Sequence, residues 1–157
     1  MAREGKQMSS HKDAFWRANN PCWICRVSAG TAKASIVAQN EELLVLISPM
    51  PLNPGHVLVV PRRHVRDLYE LPDELAEPIL SMAARIARAA KRAFSADGMA
   101  LRQHNEPAGG QEVFHFHLHV IPRFVGDDSR FNAVPQLITR ERQESLAAEL
   151  RATLGAV

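Results

Sequence analysis

The chain has 157 residues, of which 46% are hydrophobic and 23% are charged, and its formal net charge at pH 7 is +2. These values are typical of one globular domain, and the near balance of acidic and basic residues gives no support for a nucleic-acid partner. No apolar run approaches the roughly 20 residues that a membrane-spanning helix needs, and the polar first residues lack the apolar core of a secretory signal, so we expect a cytoplasmic protein with no membrane partner.

The first part of the chain is predicted to hold a flexible tail and several short strands. We expect the tail over residues 1–12 and a single domain over residues 13–157. Short apolar runs bounded by turn residues predict strands. The elements predicted before residue 62 are one or two helical turns at 13–20, a tight knuckle at 21–25, strands at 34–38, 43–48 and 56–61, a turn at 40–41, and a rigid proline-rich loop at 48–55. The last of these strands is expected at the centre of the sheet.

Residues 72–94 are predicted to form the main helix. Pro72 suits the first turn, and the acidic residues that follow it lie where the helix dipole favours negative charge. Pro78 removes one backbone donor and is expected to bend the early helix. Apolar residues at helical spacing predict a buried stripe made of Leu75, Ile79, Met82, Ile86, Ala90 and Phe94.

The second half is predicted to add two strands and a terminal helix. We expect a strand at 99–105, a glycine-bearing loop at 106–111, a strand at 113–123 and a helix at 140–154, while residues 124–139 give no assignment. The predicted fold class is α+β, with one mainly antiparallel sheet of about five strands, one long helix across it and a C-terminal helix.

Three histidines alternate within the last predicted strand. His115, His117 and His119 are separated by Phe116 and Leu118. Because successive side chains of a strand point to opposite faces, we expect all three imidazoles on one face. One histidine alone is most often a hydrogen-bonded structural residue, but three in strict alternation beside a Gly-Gly turn predict a functional site.

Two kinds of chemistry fit this pattern. Alternating histidines can bind a catalytic zinc ion, although such a site normally adds a carboxylate, for which Glu112 is the only near candidate. The alternative is covalent catalysis, in which one ring nitrogen attacks phosphorus while the other donates its proton to a carbonyl group, which fixes the tautomer. The backbone N–H groups of Gly109 and Gly110 would then help to hold the phosphate oxygens.

These motifs resemble those of the histidine triad family. Residues 115–121, HFHLHVI, are similar to the family motif His-φ-His-φ-His-φ-φ, in which φ is apolar. Residues 54–64, PGHVLVVPRRH, resemble the family's strand and turn, and residues 105–111, NEPAGGQ, resemble its phosphate loop. The resemblance covers roughly residues 22–123. It implies the family's α+β fold and a homodimer whose sheets join across the interface.

The resemblance also implies roles for individual residues. His117 would be the nucleophile that attacks the α-phosphorus and carries a transient nucleotidyl group. His119 and His56 would line the phosphate site as its catalytic partners. Asn105 and Gln111 would position the phosphate and the leaving-group oxygens.

The activities of known family members indicate the expected reaction. Known members hydrolyse nucleoside phosphoramidates, adenylated amino acids or dinucleoside polyphosphates, and a distant branch transfers nucleotides. Because that branch usually has glutamine where this chain has His119, the resemblance favours hydrolysis of a purine nucleotide substrate. The alternatives are a nucleotidyltransferase or phosphorylase, and a nucleotide-binding regulatory module with weak activity.

Two residues depart from the family pattern. Ser48 stands where relatives use aspartate or asparagine on the ribose hydroxyls, so we expect it at the ribose with altered sugar selectivity. Glu112 replaces a small hydroxyl residue. Since a carboxylate repels a phosphate, we expect Glu112 to point away or to change substrate choice.

Cys22 and Cys25 are the only cysteines and form a C-x-x-C pair. A structural zinc site needs four ligands, of which this pair supplies two. The family resemblance implies that His64 and His115 complete such a site, and it implies no organic cofactor. Two plain packed thiols are the alternative, and a redox pair is disfavoured because no helix evidently begins there to lower a thiol pKa.

Overall fold

The structure of the protein is a computed structural model that describes residues 22–127 and 136–155. The tail predicted at 1–12 and the helical turns predicted at 13–20 lie outside the described residues. Among the described residues, no helix is both long and apolar enough to span a membrane.

One antiparallel sheet dominates the described fold. Its strands are β1 (Ile36–Gln39), β2 (Leu43–Ile47), β3 (Val57–Pro61), β4 (Gly98–Arg102) and β5 (Leu118–Arg123). They form a five-stranded sheet in the order β1-β2-β3-β5-β4, so β3 is central, as predicted. Every neighbouring pair is antiparallel. The predicted α+β class is confirmed.

Both faces of the central strands are covered, which explains their continuous apolar runs. Every residue of β2 and β3 is buried. On one face, Val45 and Val59 belong to the core shared with the longest helix. On the other face, Leu46 and Val60 pack in a smaller core with Ile24. The sheet is therefore a rigid support for residues that project from its strand ends.

Three α-helices complete the described fold: α1 (Trp23–Ser28), α2 (Asp73–Ala93) and α3 (Arg140–Leu154). The predicted long helix is confirmed to within one residue at each end, and its expected stripe is buried except for Phe94, which is partly buried against the core. Pro78 lies inside this helix. The predicted terminal helix is confirmed at its bounds, with Leu146 and Leu150 buried.

The first helix corrects one expectation. A helix does begin at the cysteine pair: Cys22 is the N-cap of α1, and its Sγ accepts a hydrogen bond of 3.5 Å from the N–H of Cys25. A six-residue helix has too few turns to show an apolar period in the sequence. Its stability comes from the burial of Ile24 and Val27 against the sheet.

The strand that carries the histidines is shorter than predicted. Regular pairing begins at Leu118, opposite Val59, so only His119 of the three histidines lies in β5. Residues 113–117 have no partner strand, because Phe116 instead donates its N–H to the carbonyl of Val65 at 2.6 Å. The expectation that all three imidazoles share one strand face is therefore wrong.

Candidate active site and metal site

His117 lies just before β5, and its ring is buried. Its Nδ1 is 2.6 Å from the main-chain carbonyl oxygen of His115. A carbonyl oxygen only accepts hydrogen bonds, so Nδ1 is the donor and holds the ring proton. The lone pair is therefore on Nε2, which is the form a nucleophilic imidazole needs.

His56 and His119 form a second hydrogen-bonded unit beside it. Nδ1 of His56 accepts a hydrogen bond of 3.0 Å from the N–H of Leu52, so the ring proton is on Nε2, which donates a hydrogen bond of 2.9 Å to Nδ1 of His119. The proton of the His119 ring is consequently on Nε2. The rings of His117 and His119 are in edge contact, with centroids 4.8 Å apart. Nε2 of His117 thus offers a lone pair, and Nε2 of the adjacent His119 offers an N–H donor.

These imidazoles are held neutral. Burial lowers the pKa of His56 to about 4, with positive charge on Arg102 acting in the same direction. Burial, followed by the charges of its histidine neighbours and Arg102, lowers the pKa of His119 to about 2. Burial also lowers the pKa of His117, against the opposing effect of the His115 carbonyl. Neutral N–H donors beside the positive charge of Arg102 favour an anion, whose charge would raise these pKa values again.

The glycine-bearing loop packs against this cluster. Gly110 has a φ of +86°, and a Cβ built there would lie 3.2 Å from Nδ1 of His104. Gln111 is buried, and its side-chain oxygen accepts the N–H of Glu106 at 2.8 Å. Its side-chain nitrogen donates to the carbonyls of Arg66 and Val113. The amide of Gln111 therefore links the loop to residues 66 and 113, and its predicted contact with phosphate stays a prediction.

The structure brings His104 into contact with the cluster, while the phosphate role of Asn105 stays a prediction. The amide of Asn105 is bonded to the N–H of Leu68 at 2.8 Å and to the side chain of Gln103, and no bond links it to the described histidines. The ring of His104 instead contacts that of His119 edge-on, with centroids 5.8 Å apart. Sequence reasoning missed His104.

The register between β4 and β5 explains why His104 reaches the cluster. Arg102 of β4 is the register partner of His119 in β5. Because side chains two residues apart share a strand face, a residue at 104 continues the side that faces His119. That inference needs the strand pairing, which the motif alone does not supply.

Ser48 and Glu112 lie in different surroundings. Ser48 is buried directly after β2, and its N–H donates to the carbonyl of His56 at 2.9 Å. Its proximity to His56 is compatible with the ribose contact, which stays a prediction. Glu112 is exposed and makes no hydrogen bond to the described residues.

The second site gathers Cys22, Cys25, His64 and His115, whose ligand atoms all lie within 4.8 Å of one another. Nδ1 of His115 is 3.3 Å from Sγ of Cys22 and 3.5 Å from Sγ of Cys25. Nδ1 of His64 is 3.3 Å from Sγ of Cys25. Tetrahedral zinc with ordinary bond lengths separates sulfur and nitrogen ligands by about 3.6 Å. The four residues therefore fit a closed zinc site.

Hydrogen bonding also prepares His115 as a ligand. Its Nε2 donates to the carbonyl of Pro61 at 2.8 Å, which leaves the lone pair on Nδ1, the atom that faces the cysteines. Burial, followed by the neighbouring Cys22, raises the pKa of Cys25 to about 11, which disfavours a free redox thiolate.

The histidine triad is thus divided between two sites. His115 faces the cysteines, whereas His117 and His119 face each other and His56. A triad zinc site would need all three rings around one ion, and the described geometry separates them.

Known proteins resemble this chain in sequence. The family model of the HIT domain matches residues 29–126. Protein hit of Bacillus subtilis (strain 168) is 35% identical over 113 residues, which cover 72% of this chain and 77% of the relative. Adenylylsulfatase HINT3 of Arabidopsis thaliana is 31% identical over 104 residues, which cover 66% of this chain and 53% of the relative.

A solved structure extends the similarity to the fold. The crystal structure of a Zn-bound histidine triad family protein from Mycobacterium smegmatis is similar with a TM-score of 0.75 and 34% identity. The match covers 86% of this chain and 94% of that one. The family model alone spans more than half of the chain, and its range contains the whole triad. The chain therefore belongs to the HIT domain family.

Proposed function

We propose that the protein is a nucleotide-binding hydrolase that cleaves at the α-phosphate of its substrate through a covalent nucleotidyl intermediate on His117. The candidate substrates are nucleoside phosphoramidates, adenylates and dinucleoside polyphosphates. The observation that carries the proposal is the bond from Nδ1 of His117 to the His115 carbonyl, because it leaves Nε2 unprotonated in a buried, neutral ring.

The reaction has two displacements at phosphorus. In the first, Nε2 of His117 forms a bond to the α-phosphorus while the bond to the leaving group breaks. The ring then carries a positive charge, which the His115 carbonyl stabilises through its bond to Nδ1. In the second, water attacks phosphorus and the bond to Nε2 breaks. The Nε2–H of His119 is available to phosphate oxygens in both steps.

The substrate class rests on the histidine environment and on one relative. Neutral rings, with Arg102 close enough to lower the pKa of two of them, suit a phosphate group. The similar protein from Arabidopsis is named an adenylylsulfatase. A purine nucleotide with a good or activated leaving group is accordingly the first substrate to test.

We also propose a structural zinc ion held by Cys22, Cys25, His64 and His115. A closed set of four ligands supplies folding energy and no open position for substrate. The ligands tie the start of α1 to the end of β3 and to the segment before β5. The zinc-bound similar protein supports this choice of metal.

A homodimer joined through the sheet edge is the proposed assembly. Within the described chain, β4 is an edge strand, and Leu101 in it is 48% exposed. An exposed edge with unpaired backbone groups favours pairing with a second strand. Sedimentation analysis tests this: a dimer is expected, and a monomer at micromolar concentration contradicts it.

The test of the activity uses the purified full chain on an adenosine 5′-phosphoramidate, adenylyl sulfate, an adenylated lysine and a diadenosine polyphosphate, with release of AMP as the readout. Wild type is expected to hydrolyse at least one, and His117→Ala to lose turnover by at least about 10⁴-fold while retaining AMP binding. Turnover by His117→Ala contradicts the covalent step. A wild-type protein that binds AMP and hydrolyses none of the panel supports the regulatory alternative.

A further inference from the structure

His104 is a histidine of the cluster that the triad motif does not include. It lies two residues after β4, and its ring is half-buried against that of His119, with the centroids 5.8 Å apart. His119 also contacts the ring of His117, at 4.8 Å. The three rings thus follow one another as His117, His119 and His104.

The loop fixes the orientation of the His104 ring. Its Nδ1 is 2.8 Å from the carbonyl oxygen of Gly109, so Nδ1 is the donor in this bond. Gly110 follows with a φ of +86°, and a Cβ there would lie 3.2 Å from the same nitrogen. The ring is therefore held through Nδ1, whereas Nε2 has no hydrogen-bond partner among the described residues.

In this row of rings, His104 lies one ring further along than His119, counted from His117. In phosphoryl transfer the attacking and departing atoms are roughly in line, on opposite sides of phosphorus. With Nε2 of His117 as the attacking atom and the His119 N–H on the phosphate oxygens, a departing group opposite the nucleophile would extend along this row of rings. His104 is the next ring in that direction.

We propose that His104 is the general acid for the leaving group, an inference that rests on the proposed hydrolase function. In the first displacement the bond from His117 to phosphorus forms and the bond to the leaving nitrogen or oxygen breaks. The leaving atom keeps the electron pair and takes the proton from Nε2 of His104, which becomes neutral. In the second displacement, neutral Nε2 accepts a proton from the attacking water, which restores the starting state.

Two variants separate proton transfer from simple support of the loop. His104→Asn provides an amide nitrogen near the position of Nδ1 that can bond to Gly109. His104→Gln provides one near the position of Nε2 that can donate a hydrogen bond without transferring a proton. Each variant is made in the full chain, and its melting temperature and AMP affinity are measured. A variant that folds and binds AMP as the wild type does is used for the kinetic test.

The experiment compares two substrates with the same nucleotide and different leaving groups. The p-nitrophenyl ester of AMP releases a stable phenolate and needs no acid, whereas an alkyl phosphoramidate of AMP releases an amine that does. Loss of the acid is expected to lower kcat/KM about 100-fold or more for the phosphoramidate and only a few fold for the ester. Equal losses on both substrates, or no loss on either, would overturn the assignment of His104 while leaving the hydrolase function intact. A wild-type protein that hydrolyses neither substrate would instead reject the function and this inference together.

Discussion

The main-chain carbonyl oxygen of His115 accepts a hydrogen bond of 2.6 Å from Nδ1 of His117, while Nδ1 of the same His115 lies 3.3 Å from Sγ of Cys22. One residue therefore contributes its backbone to the candidate nucleophile and its imidazole to the candidate zinc site. Its second ring nitrogen is bonded to the carbonyl of Pro61 at the end of the central strand. The two sites are distinct in chemistry but share this residue as a common support.

Removal of a zinc ligand is expected to lower stability. Cys25→Ser should abolish binding of about one zinc ion per chain and reduce the melting temperature by roughly 10 °C, because a closed site contributes directly to folding. Metal content by mass spectrometry and thermal unfolding measure the two effects. Thr31→Ala, which removes an exposed hydroxyl near the same helix, is the control and should leave metal content unchanged. Wild-type protein purified without zinc and with unchanged stability after chelation would reject the metal site.

Acid is expected to destabilise the fold through His56. Burial lowers its folded-state pKa to about 4, below the ordinary value of about 6.5 in the unfolded chain. The unfolded state therefore binds more protons below pH 6.5, so the free energy of unfolding falls as pH decreases from 6.5 towards 4. His56 alone should contribute a loss of roughly 2 kcal/mol by pH 5.

Urea unfolding at pH 7.5 and pH 5 measures this effect. His56→Gln lacks the titrating group, so it should show a smaller difference between the two pH values even though it is less stable at pH 7.5. Equal pH dependence in the variant and the wild type would mean that the ring of His56 is not held neutral by its surroundings.

Gly110 and Gly30 offer a matched pair of glycine substitutions. Both have positive φ values, +86° and +74°, but a Cβ at Gly110 meets the His104 ring, whereas a Cβ at Gly30 meets nothing within 4 Å. Each change to alanine should cost about 1 kcal/mol of stability from backbone strain. Only Gly110→Ala should also lower kcat/KM, by about 10-fold or more, because it displaces the loop and the His104 ring.

Chemical unfolding and AMP-release kinetics check the pair. If Gly30→Ala lowers activity as much as Gly110→Ala, the loss reflects a general decrease in stability. The close approach of the loop to the histidine cluster would then not affect catalysis.

The regular elements were predictable because their signals are local. The apolar stripe of α2 follows from helical periodicity and the two buried strands β2 and β3 from short apolar runs bounded by turn residues, and all three occur where expected. The covalent alternative also predicted that a nucleophilic imidazole donates from its second nitrogen to a carbonyl group, and Nδ1 of His117 lies 2.6 Å from the carbonyl oxygen of His115. Both inferences depend only on residues close together in the chain.

The remaining features depend on contacts between distant segments. β5 begins at Leu118 rather than at residue 113, because Val59 is the last residue of β3 that pairs with it. The contact of His104 with the cluster depends on the register between β4 and β5, in which Arg102 lies opposite His119. The division of the triad between two sites requires the positions of both cysteines in space. None of these relationships has a signature within one stretch of sequence.

The stereochemical course at phosphorus tests the central claim most directly. An adenosine 5′-phosphorothioate derivative that is chiral at the α-phosphorus is hydrolysed in oxygen-18 water, and the configuration of the product is determined. Two successive displacements, first by His117 and then by water, predict overall retention of configuration. Inversion would mean that water attacks phosphorus directly, and it would contradict a covalent intermediate on His117.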